Sequence, residues 1–228
     1  GTTGFILEGV DADDRSGNFV SSAGDVNGDG FDDLLIGAFL ADPGSPARNS
    51  AGETYVVFGG LANLSLLDDA VVANRDGRIN LANLDGTNGF VLEGIAADDY
   101  SGRSVSSAGD VNGDGVDDLL IGAYYADPGS PSRNSAGESY VVFGGAANLA
   151  LLDDTVVANR DGRINLTDLN GTTGFVLEGI KTFDRSGFSV SSAGDVNGDG
   201  FNDLLIGAFL ADPGSPSRNS AGESYVVF

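Results

Sequence analysis

Cysteine, methionine, histidine and tryptophan are all absent from the 228 residues. Without cysteine or histidine the chain has no disulfide framework, thiolate nucleophile, zinc site of the usual nitrogen and sulfur kind, or histidine general base. Basic residues are scarce too, 11 against 34 acidic ones, for a formal net charge of −23. Nucleic-acid affinity rests on Lys and Arg neutralising phosphates, so this chain would repel a phosphate backbone. Long apolar stretches are missing: the longest, Leu34 to Ala41, falls well short of the roughly 18 residues that suggest a membrane-spanning helix. With no Met and a start at Gly1, we expect an excerpt of a longer or processed chain, in which targeting cannot be read from the N-terminus.

What is abundant is glycine, 36 residues, together with 41% hydrophobic residues. The apolar residues are gathered into compact runs such as Leu34-Leu35-Ile36 and Tyr55-Val56-Val57-Phe58. Disordered chains thin such residues out, so these counts point to a loop-rich β protein.

An internal repeat organises the chain. Gly1-Thr-Thr-Gly-Phe5 returns as Gly86-Thr-Asn-Gly-Phe90 and as Gly171-Thr-Thr-Gly-Phe175, a period of 85 residues without insertion or deletion. Residues 1–58 and 171–228 agree at 48 of 58 positions. The expected organisation is therefore three similar blocks, 1–58, 86–143 and 171–228, separated by joining segments 59–85 and 144–170. In the second block, strands are expected near Phe90–Glu93, Ser104–Ala108, Asp118–Ala123 and Glu138–Phe143, each bounded by turn-forming residues. The last two are continuously apolar, as suits strands covered on both faces. The fold class is thus all-β, with four short strands per unit. In the joining segment Leu64, Leu67 and Val71 fit one helical face, Asn74-Arg75-Asp76-Gly77 reads as a turn, and Ile79, Leu81 and Leu84 as extended packing.

The sharpest chemistry lies in Asp25-Val-Asn27-Gly-Asp29-Gly30-Phe31-Asp32-Asp33, repeated at 110–118 and 195–203. Oxygen-bearing side chains at positions 1, 3, 5 and 9, a carbonyl at position 7 and Gly at position 6 are what a hard cation requires. Position 12, where a helix-loop-helix calcium loop carries a bidentate Glu, is Ile36, Ile121 or Ile206. A calcium loop in a β-hairpin setting is the expectation. Position 8 varies between Asp32, Asp117 and Asn202 while position 9 is Asp throughout, so the ligand role falls on Asp33, Asp118 and Asp203. The plain alternative is a polar turn. At an effective dielectric of about 20, two carboxylates 4 Å apart repel by about 4 kcal/mol, a large share of a roughly 5–15 kcal/mol folding margin. A divalent cation converts that cost into stabilisation.

With these residues in hand the chain resembles the FG-GAP repeat family, of the bacterial tandem-array type, whose best known members form the β-propeller of integrin α subunits. The resemblance covers each block: Ser104-Val-Ser-Ser-Ala-Gly-Asp-Val-Asn-Gly-Asp-Gly115, then Asp118-Leu-Leu-Ile-Gly-Ala123, then Gly137-Glu-Ser-Tyr-Val-Val-Phe-Gly144. It implies four-stranded propeller-like blades and about one Ca²⁺ per repeat, three in this chain. The implied ligands are Asp25, Asn27, Asp29, Phe31 and Asp33; Asp110, Asn112, Asp114, Val116 and Asp118; and Asp195, Asn197, Asp199, Phe201 and Asp203. There are departures. The family's Phe-Gly is Ser16-Gly17, Ser101-Gly102 and Ser186-Gly187, and Gly-Ala is followed by Phe39, Tyr124 or Phe209 in place of Pro. The period is also long for a single blade, which favours an open or extended array over a closed propeller.

By the strand reading, Phe5–Glu8 is a final strand of a preceding blade, and the last blade stops at Phe228 without its own. The expected partners are accordingly further copies of the repeat or chain, assembled head to tail, and a protein or glycan ligand. The expected place is extracellular or at the cell surface. The expected role is structural or adhesive and non-enzymatic, because nearly every close carboxylate pair lies in a metal loop or repeated turn and no nucleophile has a usable base. The alternative is a ligand-binding propeller module attached to a secreted enzyme or receptor. Weaker signals are read as structure: the sequons at Asn63, Asn165 and Asn170 as chance, and Asn74–Gly77 and Asn159–Gly162 as turns, since Val72 and Val157 cannot ligate through a side chain. The proline-bearing loop Ala126–Ala136 divides evenly between binding and packing.

Overall fold

The computed structural model describes residues 4–69, 72–154, 160–214, 216 and 218–228. In chain order the elements are β1 (Ile6–Glu8), β2 (Phe19–Gly24), β3 (Asp33–Ala38), β4 (Glu53–Val57), α1 (Leu61–Asp68), β5 (Arg78–Asn80) and β6 (Gly89–Glu93). They continue as β7 (Ser104–Gly109), β8 (Asp118–Ala123), β9 (Glu138–Val142), α2 (Ala146–Asp153), β10 (Arg163–Asn165), β11 (Gly174–Glu178), β12 (Ser186–Gly194), β13 (Asp203–Ala208) and β14 (Glu223–Val227). The four strands expected in the second block appear within a residue of their expected bounds. The protein is all-β, and among the described residues no sheet closes on itself.

Strands and sheets do not share block boundaries. The first full sheet runs β2-β3-β4-β6-β10, so its fourth strand opens the second block and its fifth comes from the second joining segment. β6 pairs antiparallel with β4, Tyr55 opposite Val91, and β10 lies parallel outside it, Ile164 opposite Leu92. The next sheet is β7-β8-β9-β11, and the last is β12-β13-β14. Among the described residues β1 pairs with β5 alone, in a separate parallel couple.

The core lies between sheets. Val56, Phe58, Phe90 and Leu92 of the first sheet pack with Leu119, Ile121, Tyr140 and Val142 of the second. Leu149 and Leu152 of α2 and Ile164 and Leu166 beyond it complete that cluster, so the joining segment is a brace across two blades. Every residue of β8 is buried, which is why it reads as an uninterrupted apolar run. Glycine permits the close stacking: a Cβ on Gly37 would lie 2.0 Å from the Gly102 carbonyl oxygen, and one on Gly122 2.0 Å from that of Gly187. Those partner glycines are the second half of the family's Phe-Gly dipeptide.

In the joining segments α1 carries Leu64 and Leu67 as expected, whereas Val71, Val157 and Asn159 lie outside the described residues. Leu81–Asn83 departs from the expected extended packing: it is a 3₁₀ turn, capped by Asn80 Oδ1 accepting from the Ala82 N–H. Leu81 and Leu84 are buried all the same. The Asn63 sequon is occupied structurally, since its Nδ2 donates to the Phe58 carbonyl at 2.6 Å.

Candidate functional site

Each Asp-rich loop closes a hairpin between the first two strands of a blade. In the first, Asp25 Oδ1 accepts from the N–H groups of Gly28 and Asp29, both at 2.9 Å, and Oδ2 accepts from Gly30 at 2.8 Å. Asn27 Oδ1 accepts from the Asp29 N–H, and Asp29 Oδ1 from Phe31. Gly30 has φ 91°, a conformation that glycine adopts without steric cost. Loops 110–118 and 195–203 repeat this pattern, with Asp110 and Asp195 at the centre. Positions 1, 3 and 5 are thus drawn into one knot around the backbone of positions 4 to 7.

Position 9 sits apart from that knot. Asp33 is fully buried; Oδ2 accepts from Val26 at 3.0 Å and Oδ1 from Gly59 at 2.7 Å. Asp118 holds Val111 and Gly144 in the same way. Burial pushes each of these two carboxyls up to about 6; the backbone N–H groups pull the other way, and Asp29 or Asp114 adds repulsion. Among the described residues no group of three or more acidic side chains is gathered as a metal cage. The donors nonetheless fit a hard divalent ion in kind: they are all oxygen, and a carboxylate oxygen that accepts one N–H keeps a second lone pair.

Position 8, read from sequence as a bystander, couples neighbouring loops. Asp117 Oδ2 accepts from the Asp25 N–H at 2.9 Å, and at the next junction the Asn202 backbone N–H donates to the Asp110 carbonyl at 3.0 Å. The contact spans two repeats, so spacing within one loop carries no sign of it.

The opposite end of the blades, where β2 begins and β3 ends, carries an aromatic run. Phe39 meets Tyr100 at 5.9 Å, Tyr100 meets Tyr125 at 5.1 Å, Tyr124 meets Phe188 at 5.3 Å, and Phe188 meets Phe209 at 4.3 Å. Arg103 lies 4.1 Å over Phe19 and Arg185 4.2 Å over Tyr125, within cation–π range. The three copies diverge at these places: Arg15, Tyr100 and Arg185 are equivalent, as are Asn18, Arg103 and Phe188, and Leu40, Tyr125 and Leu210.

Near this end Asp99 is buried, accepts from the Ala96 N–H and faces Glu138, Asp127 and Asp98. Burial first and those acids next push its carboxyl up to about 7. The folded chain therefore holds a proton that the unfolded chain has released above about 4, and stability falls as pH rises between about 4 and about 7. Asp99→Asn is expected to raise the melting temperature at pH 8 and bring no gain at pH 4. An equal shift at both pH values would refute this.

A family model described as FG-GAP repeat matches residues 16–57, 101–142 and 186–227. Integrin alpha-PS2 of Drosophila melanogaster is 31% identical over 140 residues, 60% of this chain and 8% of that protein. A phosphatidylinositol-glycan-specific phospholipase D of Bos taurus is 29% identical over 213 residues, 92% of this chain and 20% of that protein. Integrin alpha-5 of Xenopus laevis is 35% identical over 111 residues, 48% of this chain and 8% of that protein. The chain spans a fifth or less of the length of these relatives.

Proposed function

The chain belongs to the FG-GAP repeat family, and from that premise we propose that it is a non-enzymatic, calcium-stabilised module that displays a ligand-binding surface within an extracellular array or fibre. Asp25, Asn27, Asp29 and Asp33, with the Phe31 carbonyl, would hold the first ion, and the equivalent residues of loops 110–118 and 195–203 the other two. Bound there, Ca²⁺ neutralises carboxylates that otherwise repel and ties each hairpin to its turn. Extracellular modules bind Ca²⁺ at roughly 10⁻⁴–10⁻³ M, which matches the proposed location.

The observation that carries this reading is the division of labour between the two ends of a blade. One end repeats its Asp, Asn and Gly pattern in all three copies. The other varies in Arg, Tyr, Phe and Asn, the residue types that adapt a surface to a partner. Protein and glycan ligands both suit such a surface.

The test is a thermal melt followed by circular dichroism in millimolar CaCl₂ and in excess EDTA. Calcium at about 100 times its dissociation constant adds about 2.7 kcal/mol per site. We expect a lower transition in EDTA, restored by Ca²⁺ in preference to Mg²⁺; identical melts would end the metal reading. A second reading, a propeller module attached to a secreted enzyme or receptor, draws support from the phospholipase D likeness across 92% of the chain. A catalytic domain encoded beside a few repeats would favour it over a long array.

A further inference from the structure

Neighbouring Asp-rich loops touch through their eighth positions, and the copies differ there in charge. Gly24 and Gly109, which precede Asp25 and Asp110, have φ 71° and 72° and leave a niche beside each loop. A Cβ on Gly24 would lie 2.1 Å from Asp117 Oδ2, and one on Gly109 2.5 Å from Asn202 Cγ. The position-8 side chain of the following loop therefore fills the niche at both junctions. At the first junction the occupant is a carboxylate, whose Oδ2 accepts from the Asp25 N–H at 2.9 Å. At the second it is a neutral carboxamide, and the Asn202 backbone N–H donates to the Asp110 carbonyl at 3.0 Å. Asp25 and Asp110 are the residues around which their own loops are knotted.

Resting on the calcium reading above, we infer that position 8 of one repeat sets the calcium affinity of the loop before it, so that loop 25–33, which faces Asp117, binds Ca²⁺ more tightly than loop 110–118, which faces Asn202. Ligands within the loops do not separate the two: both carry Asp, Asn, Asp, a carbonyl and Asp, and both have Asp at their own position 8. What differs is one negative charge supplied by the neighbouring blade. That charge is fixed in place. Asp117 is wedged between Gly24 and Gly144, whose Cβ would lie 2.2 Å from the Asp117 carbonyl oxygen, and the Gly145 N–H donates to the Val26 carbonyl at 2.9 Å. Oxygen-ligand loops tune their affinity through charge count and rigidity, and the Asp117 contact supplies both. As calcium falls, loop 110–118 empties first, while loop 25–33 stays loaded.

A CaCl₂ titration of the whole chain followed by ¹⁵N NMR reads each loop separately, because the Gly30 N–H donates to Asp25 Oδ2 and the Gly115 N–H to Asp110 Oδ2. The Gly30 amide is expected to shift at about tenfold lower free calcium than the Gly115 amide. Asp117→Asn keeps an acceptor for the Asp25 N–H and removes only the charge. It should raise the Gly30 midpoint about tenfold, whereas Asn202→Asp should lower the Gly115 midpoint by a similar factor. Asp32→Asn, which neutralises position 8 of the first loop itself, should leave the Gly30 midpoint within about twofold, since that exposed side chain belongs to the same loop and not to the one after it. Equal midpoints for Gly30 and Gly115 in the parent, or a Gly30 midpoint unmoved by Asp117→Asn, would overturn the assignment and leave calcium binding itself intact. If neither amide responded to calcium, the calcium reading would fall and this inference with it.

Discussion

Gly122→Ala is expected to destabilise the protein by about 3 kcal/mol or more, roughly 6–12 °C in melting temperature, whereas Gly207→Ala should change it by less than about 0.5 kcal/mol. The two glycines hold the same place in the repeated Leu-Leu-Ile-Gly-Ala run, Gly122 in β8 and Gly207 in β13, and neither has a positive φ. Local conformation therefore predicts the same small effect at both. Their surroundings differ. A Cβ on Gly122 would lie 2.0 Å from the Gly187 carbonyl oxygen, a backbone atom pinned by the neighbouring blade. On Gly207 the nearest atom is the Ser189 oxygen at 3.5 Å, an ordinary contact. The methyl group at 122 must force apart a pair of sheets that share a core, and the loss spreads through Ala108, Leu120 and Val141, which pack against Val190, Leu204 and Ile206 of the last blade. Thermal melts of the two variants at a dilution where the chain is monomeric decide the matter. Equal shifts would mean that the blades are not held at this spacing in solution.

How much of this was legible beforehand depends on the range over which each interaction acts. The strands were legible because Asp118–Ala123 and Glu138–Val142 are short apolar runs bounded by Gly, Asp and Pro, and burial on both faces leaves no alternation to confuse them. The knot at Asp25, Asn27 and Asp29 was legible because its hydrogen bonds span only two to five residues. The parallel fifth strands were not. Arg163-Ile164-Asn165 contains one apolar residue, and its partner Val91–Glu93 lies in the preceding block, so neither periodicity nor turn chemistry announces the pair. Asp117 escaped for the same reason: its partner is the Asp25 N–H of another loop. The change to Asn202 in the third copy suggested indifference, although that residue holds the equivalent junction through its backbone. The 3₁₀ turn at Leu81–Asn83 was hidden because buried leucines are compatible with either conformation, and only the Asn80 cap decides.

Asp118→Ala and Asp114→Ala are expected to separate two roles that the Asp-rich loop combines. Asp118 is fully buried, and its oxygens accept from Val111 at 2.9 Å and from Gly144 at 2.8 Å. Truncation leaves both N–H groups without that acceptor, at roughly 1–3 kcal/mol each, so about 2–6 kcal/mol should be lost even in excess EDTA. The Gly144 contact matters further because it anchors the start of the joining segment: a Cβ there would lie 2.2 Å from the Asp117 carbonyl oxygen. Asp114 is exposed and, among the described residues, accepts from Val116 and Asn112 within its own turn. Its loss should cost less than about 1 kcal/mol in EDTA, because water replaces those partners. In millimolar CaCl₂ both variants also forfeit the binding free energy of one site, about 2.7 kcal/mol at 100 times the dissociation constant, so each falls further below the parent while the gap between them persists. Denaturant melts of both variants with and without calcium resolve the two contributions. If Asp118→Ala matched the parent in EDTA, the carboxylate would serve the ion alone and the buried latch would be refuted. If Asp114→Ala lost nothing more in calcium than in EDTA, position 5 would not be a ligand, and the loop would hold its shape by backbone hydrogen bonds alone.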